Sequence, residues 1–211
     1  MGLAEQQRLL ARLYTDAAFR ERFLADPRGQ GETLGLAPTD VEQLSGLSPQ
    51  QLGFFARSLY RKRLGEVRKL LPATRRALGP RFAALFQQFC DGYTPGGTKK
   101  HRDDALAFAA FLRREWSVPP WIVDLARYEA AWLRATAGEC VVLACWFRYP
   151  VGAMVREVAE GNGLQPPDKR PTLAFWFRLL GRGRLRHGAW TVFSRPRAGP
   201  TARPQWDRGE G

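Results

Sequence analysis

Val118-Pro-Pro-Trp-Ile-Val-Asp-Leu-Ala-Arg-Tyr-Glu-Ala-Ala-Trp-Leu-Arg-Ala-Thr136 is the stretch on which the reading of this 211-residue chain turns. Pro119 and Pro120 stop whatever precedes them, and Pro120 has the fixed φ that suits a helix's first turn. Apolar residues then recur at Ile122, Leu125, Ala126, Tyr128, Trp132 and Leu133, the spacing of one helical face. Gly138 supplies the stop, because only glycine takes the left-handed cap at no steric cost. Upstream of this helix the spacing is helical; downstream it changes to strands. The expectation is an α+β protein. A mainly helical domain occupies 1–137, and a small strand–helix–hairpin domain occupies 138–194. In the tail from 195 to 211, proline, glycine and arginine outnumber core-forming residues, which predicts disorder.

Working back from the central helix, five or six helices are expected. Leu3 to Asp26 reads as one amphipathic helix, followed by a glycine-rich loop from Arg28 to Gly35. Thr39-Asp40-Val41-Glu42 carries a capping signature, with Thr39 bonding the N–H of Glu42. Ser48-Pro49 opens a long helix reaching Leu71, and Pro72 to Leu78 forms another, closed by Gly79. Phe82, Leu85, Phe86 and Phe89 give the next helix a strongly apolar face, and Leu106, Phe108, Phe111 and Leu112 do so for its successor. Working forward, Cys140 to Tyr149 reads as a buried strand and Val151 to Glu160 as a short helix. Thr172 to Leu180 and Arg184 to Phe193 form a hairpin around Gly181-Arg182-Gly183.

No apolar run approaches the length of a bilayer span, and the start lacks the charged and apolar regions of a secretory signal. The three cysteines, Cys90, Cys140 and Cys145, are an odd count without a close pair, which fits a reducing compartment. A cytoplasmic location is expected, with no membrane contact. The formal charge of +13 is either arginine-rich drift on a solvated surface or the mark of an acidic partner.

Three stretches resemble the helical domain of the BufC/HvfC family, once labelled a putative DNA-binding domain. They are Leu59-Tyr60-Arg61, Leu71-Pro72-Ala73-Thr74 with Leu78-Gly79-Pro80-Arg81-Phe82, and Pro119 to Glu129 with its Asp124-Leu-Ala-Arg-x-Glu. Together they span Phe54 to Thr136. Leu13 to Phe23 is also similar to small helical subunits that accompany some ring-cleaving dioxygenases. The BufC/HvfC resemblance, shared with the MbnC and TglI proteins, implies a non-catalytic partner of a multinuclear non-haem iron enzyme. Such enzymes modify cysteines in ribosomally made peptides. The partner supplies no cofactor or metal ligand; it docks on the enzyme and helps present the precursor peptide. The residues after Gly138 depart from the commoner family C-terminus, although their order still suits a peptide-recognition element. On this reading Tyr60, Arg61, Trp121, Arg127 and Trp132 face the partner enzyme.

The residues themselves offer little catalysis. His101 and His187 have no metal-ligand neighbour at usable spacing. Cys140 and Cys145 lie five apart in an apolar strand and read as inert. Asp124 and Glu129 are off one another's face, and Glu129 is expected to pair with an arginine. A peptide could add to a free hairpin edge through main-chain hydrogen bonds. Thr172, Leu173, Phe175 and Phe177 would then receive its side chains, with Arg178, Arg184 and Arg186 flanking the groove. The plainer reading makes these aromatics a sheet core and these arginines a solvated surface. The competing class is nucleic-acid binding through Arg57, Arg61, Lys62, Arg63, Arg68, Lys69, Arg75 and Arg76. A purely structural subunit of a larger complex is the third.

Overall fold

The computed structural model describes residues 3–93, 100–138, 142–161, 165–178 and 185–192. Nine helices precede residue 138 among them: α1 (Leu3–Thr15), α2 (Ala17–Ala25), α3 (Pro27–Thr33), α4 (Pro38–Ser45), α5 (Pro49–Leu70), α6 (Pro72–Leu78), α7 (Arg81–Asp91), α8 (Lys100–Leu112) and α9 (Pro120–Thr136). Then come β1 (Val142–Phe147), α10 (Val151–Ala159), β2 (Thr172–Arg178) and β3 (Leu185–Thr191). The fold is α+β, mostly helical, with a small antiparallel sheet near the C-terminal end.

The first helical segment is not one helix. Asp16 is extended and its carboxylate accepts from the Phe19 N–H at 2.8 Å, so the chain restarts as α2. The glycine-rich stretch expected as a loop is α3. Asp26 caps it through the Gly29 N–H at 2.9 Å, and a Cβ on Gly31 would overlap the Val41 side chain. Gly31 therefore lets α3 and α4 approach closely, while at Gly29 the room is taken by the capping Asp26 carboxylate. In α4 the entry lies two residues earlier than expected: Ala37 is the cap and Pro38 opens the helix, so Thr39 sits inside it. Ser48 and Pro49 do open α5, and Pro72 does open α6, which ends at Gly79 with φ 55°. The central helix runs as its sequence indicates, from Pro120 to a left-handed Gly138 at φ 76°.

A minor apolar cluster joins Leu9, Leu13, Phe19, Phe23, Leu44 and Leu52. The principal core runs from Leu64 in α5 through α6–α9 and on into Phe147, Met154, Ala174 and Trp176. One continuous core therefore crosses residue 138. Inside it, Phe82, Phe86 and Phe89 meet Phe108 at ring separations of 5.2 to 5.6 Å. Beside these rings lies a buried ion pair: Arg63 Nε and Nη2 donate to Asp104 at 2.9 and 3.0 Å.

The sheet order is β1-β2-β3, both pairings antiparallel. Its inner face carries rows Leu143–Trp176–His187, Cys145–Ala174–Ala189 and Phe147–Thr172–Thr191. The buried members of these rows are Phe147, Thr172, Ala174 and Trp176, and this face packs on α9.

Candidate functional site

The period of two that hides Trp176 turns Leu173, Phe175 and Phe177 to the other side. The outer face consists of rows Val142–Phe177–Arg186, Ala144–Phe175–Gly188 and Trp146–Leu173–Trp190. Nothing among the described residues covers it: Trp190 is 70% exposed, Val142 66% and Trp146 55%. Phe175 stacks on Phe177 and meets the edge of Trp190 at 5.6 Å. A Cβ on Gly188 would fall on the Phe175 ring, so the missing side chain lets that ring lie across β3. The result is an open aromatic floor on the sheet.

Backbone hydrogen bonding singles out one side of that floor. β2 is the central strand and its ladder is used on both sides, so Thr172 to Arg178 cannot themselves accept an added strand. The edges are β1 and β3. On β1, Arg127 reaches from α9 to within 3.4 Å of the Trp146 carbonyl oxygen, a side chain laid against the edge. On β3, no backbone group among the described residues bonds beyond β2. The free edge thus runs along Leu185–Thr191, next to Trp190 and Arg186.

The expected site residues fall into distinct places. Leu173, Phe175 and Phe177 lie on the outer floor, and Arg186 is exposed at its end. Thr172 is buried on the inner face, where its hydroxyl meets that of Thr191 at 3.0 Å. Arg178 points to the helices: its Nη2 donates to the Ala135 and Thr136 carbonyls at 3.1 Å each, closing the C-terminus of α9. Arg184 lies outside the described residues, as does Cys140. Sequence reasoning passed over Trp190, Gly188 and Val142. The alternation of Gly188 and Trp190 with the inward His187 and Ala189, and of Val142 with the inward Leu143, was the available signal.

Of the residues expected to face a partner, Arg61 is exposed. Tyr60 donates to the Ala83 carbonyl at 3.1 Å and packs on Phe86. Trp121 is buried in the core. Arg127 bonds Asp124 at 2.8 Å and covers the Phe147 ring. Trp132 packs on Trp176 and His187.

Two carboxylates organise the support beneath the sheet. Asp124 accepts from Arg127 and from the Arg148 N–H at 2.6 Å, anchoring the exit of β1. Glu129 does not pair with an arginine. It is buried and accepts from the N–H groups of Ala73 and Thr74 at 2.7 and 2.9 Å and from the Thr74 hydroxyl at 2.6 Å. A residue of α9 thereby caps α6, whose own Leu71 has no capping side chain. Burial pushes the Glu129 carboxyl up to about 7 against the pull of those donors. His187 is bonded to the Tyr128 hydroxyl at 3.0 Å, and burial holds its imidazole below the usual range. The buried Cys90 thiol is raised to about 11 by burial, and Cys145 is raised for the same reason. Neither is an activated thiol.

The fold and floor define a helical protein with a small, laterally open antiparallel sheet. Residues 39–114 match the family model described as SCO6045-like, C-terminal domain, a span from α4 to just beyond α8. The sheet lies outside the matched span. No curated protein matches the chain. Among the described residues no helix is long and apolar enough to cross a membrane.

Proposed function

We propose that the protein is a cytoplasmic, non-catalytic partner of an iron-dependent enzyme that modifies a ribosomally made peptide. The helices dock on the enzyme, and the precursor peptide adds to β3 as a fourth strand. The observation that carries this reading is the open β3 edge beside an exposed aromatic floor. A peptide strand there would gain main-chain hydrogen bonds, and alternate side chains would lie beside Trp190. Arg186 would face acidic residues of the peptide, which makes binding salt-sensitive. The resemblance to the BufC/HvfC helical domain supports the enzyme-partner part. Its Leu71-Pro72-Ala73-Thr74 and Asp124-to-Glu129 stretches are joined physically by the Glu129 cap.

The test is affinity purification of the tagged full chain from its native lysate, treated with nuclease, followed by mass spectrometry and iron determination. The expected result is a stoichiometric iron-containing protein together with a small cysteine-bearing peptide. Trp190→Ala with Arg186→Glu should retain the iron protein and lose the peptide. Recovery of nucleic acid alone before nuclease, and of nothing after it, would overturn the proposal in favour of the basic helices.

A further inference from the structure

A cleft of about 540 Å³ opens between α5, α6 and α10, away from the sheet's outer face. Arg68, Arg75 and Arg76 line it together with Pro72, Gly79 and Val158. No carboxylate lines it, and none of the ion pairs among the described residues involves these three arginines. Arg76 is fixed in place because its Nη2 donates to the Gly161 carbonyl at 2.6 Å, just past the end of α10. Arg68 has its Nε enclosed by protein with no hydrogen-bond partner. That N–H gives no charge to a protein acceptor, so the guanidinium that lines the cleft keeps its positive charge unneutralised, and an oxyanion in the cleft would offset it.

We infer that this cleft is a binding site for a phosphate group, carried by a small phosphate monoester. Charge decides between oxyanions. Three guanidinium groups without a protein counter-charge match the nearly double negative charge of a phosphate monoester better than the single charge of a carboxylate. Arginine's planar fork also fits phosphate oxygens bidentately. Size decides between free phosphate and an ester. The cleft is in the range of small-ligand sites, and Pro72 and Val158 give it an apolar side for an organic group. The first N–H groups of α6 are already taken by Glu129, so the arginine side chains supply the donors. This site does not depend on the peptide-binding reading.

The test uses the full chain with isotope-labelled arginine at constant ionic strength. Inorganic phosphate, phenyl phosphate and acetate are each titrated, and the arginine Nε–H resonances are followed. Saturable movement of the Arg68 signal is expected with both phosphates, with acetate at least tenfold weaker. Tighter binding of phenyl phosphate supports an ester as the ligand; equal binding supports free phosphate at the same site. Arg75→Glu, at an exposed position, should weaken phosphate binding at least tenfold with an unchanged circular dichroism spectrum. Arg22→Glu makes the same change in net charge at an exposed position of α2 and should leave binding unaltered. The inference is overturned if Arg68 shows no saturable shift. It is also overturned if acetate binds as well as phosphate, or if Arg75→Glu and Arg22→Glu have equal effects.

Discussion

Replacing Glu129 tests the joint between α6 and α9 in two ways. Glu129→Ala removes the acceptor for two buried N–H groups and one buried hydroxyl. Each orphaned buried donor costs about 1–3 kcal/mol, and the Thr74 hydroxyl can turn to another acceptor, so the loss should be about 4 kcal/mol. In a chain of this size that lowers the melting temperature by roughly 8–16 °C. Glu129→Gln keeps one acceptor and isolates the effect of the charge. The wild-type carboxyl is raised from 4.5 to about 7 when folded, so the folded protein binds the proton more tightly than the unfolded chain. Its contribution is therefore fully present below about pH 4.5 and is lost as the pH rises through about 7. The full change is about 3 kcal/mol. Urea unfolding of wild type and Glu129→Gln across this window should show the wild type falling more steeply as pH rises. Parallel curves, or a wild type that gains on the variant with rising pH, would refute the reasoning. Parallel curves would mean that the three donors balance burial, and a wild type that gains would mean that they outweigh it and hold the group ionised.

The buried pair offers a second test: Arg63→Met or Asp104→Leu alone strands a charge and should cost about 3–5 kcal/mol in urea unfolding. The double variant should recover most of that loss. On the outer floor, Gly188→Ala displaces the Phe175 ring and should cost about 1–3 kcal/mol if the ring cannot swing clear. Loss of the Phe175–Trp190 ring contact by NMR, with reduced capture of peptide in the purification above, is the expected outcome.

Much of the helical order was legible because proline and glycine punctuate it: Pro49, Pro72 and Pro120 open helices where the chain says they should. The errors arose where a residue serves a neighbour rather than its own segment. Gly29 and Gly31 look like loop residues in one dimension, yet Gly31 makes room for Val41 ten positions on. Glu129 looks like half of an ion pair, yet its donors lie 55 and 56 residues earlier. Thr39 was passed over as a cap because Pro38 had already begun the helix. In the sheet, the period of two separates Phe175 and Phe177 from Trp176, and it also separates Thr172, grouped with them from the sequence, onto the inner face. Strand order was beyond it, and only that order reveals that β2 is interior and that β3 keeps the free edge. Arg178 shared its basic character with Arg186, but its position at the end of the central strand turned it toward the carbonyls of α9.

The core that runs unbroken from α5 to Trp176 constrains how such a chain can change by recombination. A different C-terminal segment spliced in after Gly138 would inherit an α9 surface shaped for this sheet. Tyr128 and Trp132 would lose the rings they pack on, Asp124 its strand exit, and the end of α9 its arginine. The sheet can therefore be exchanged only together with one face of the central helix, so change on the outer floor is reached more readily by substitution there than by shuffling of the whole segment.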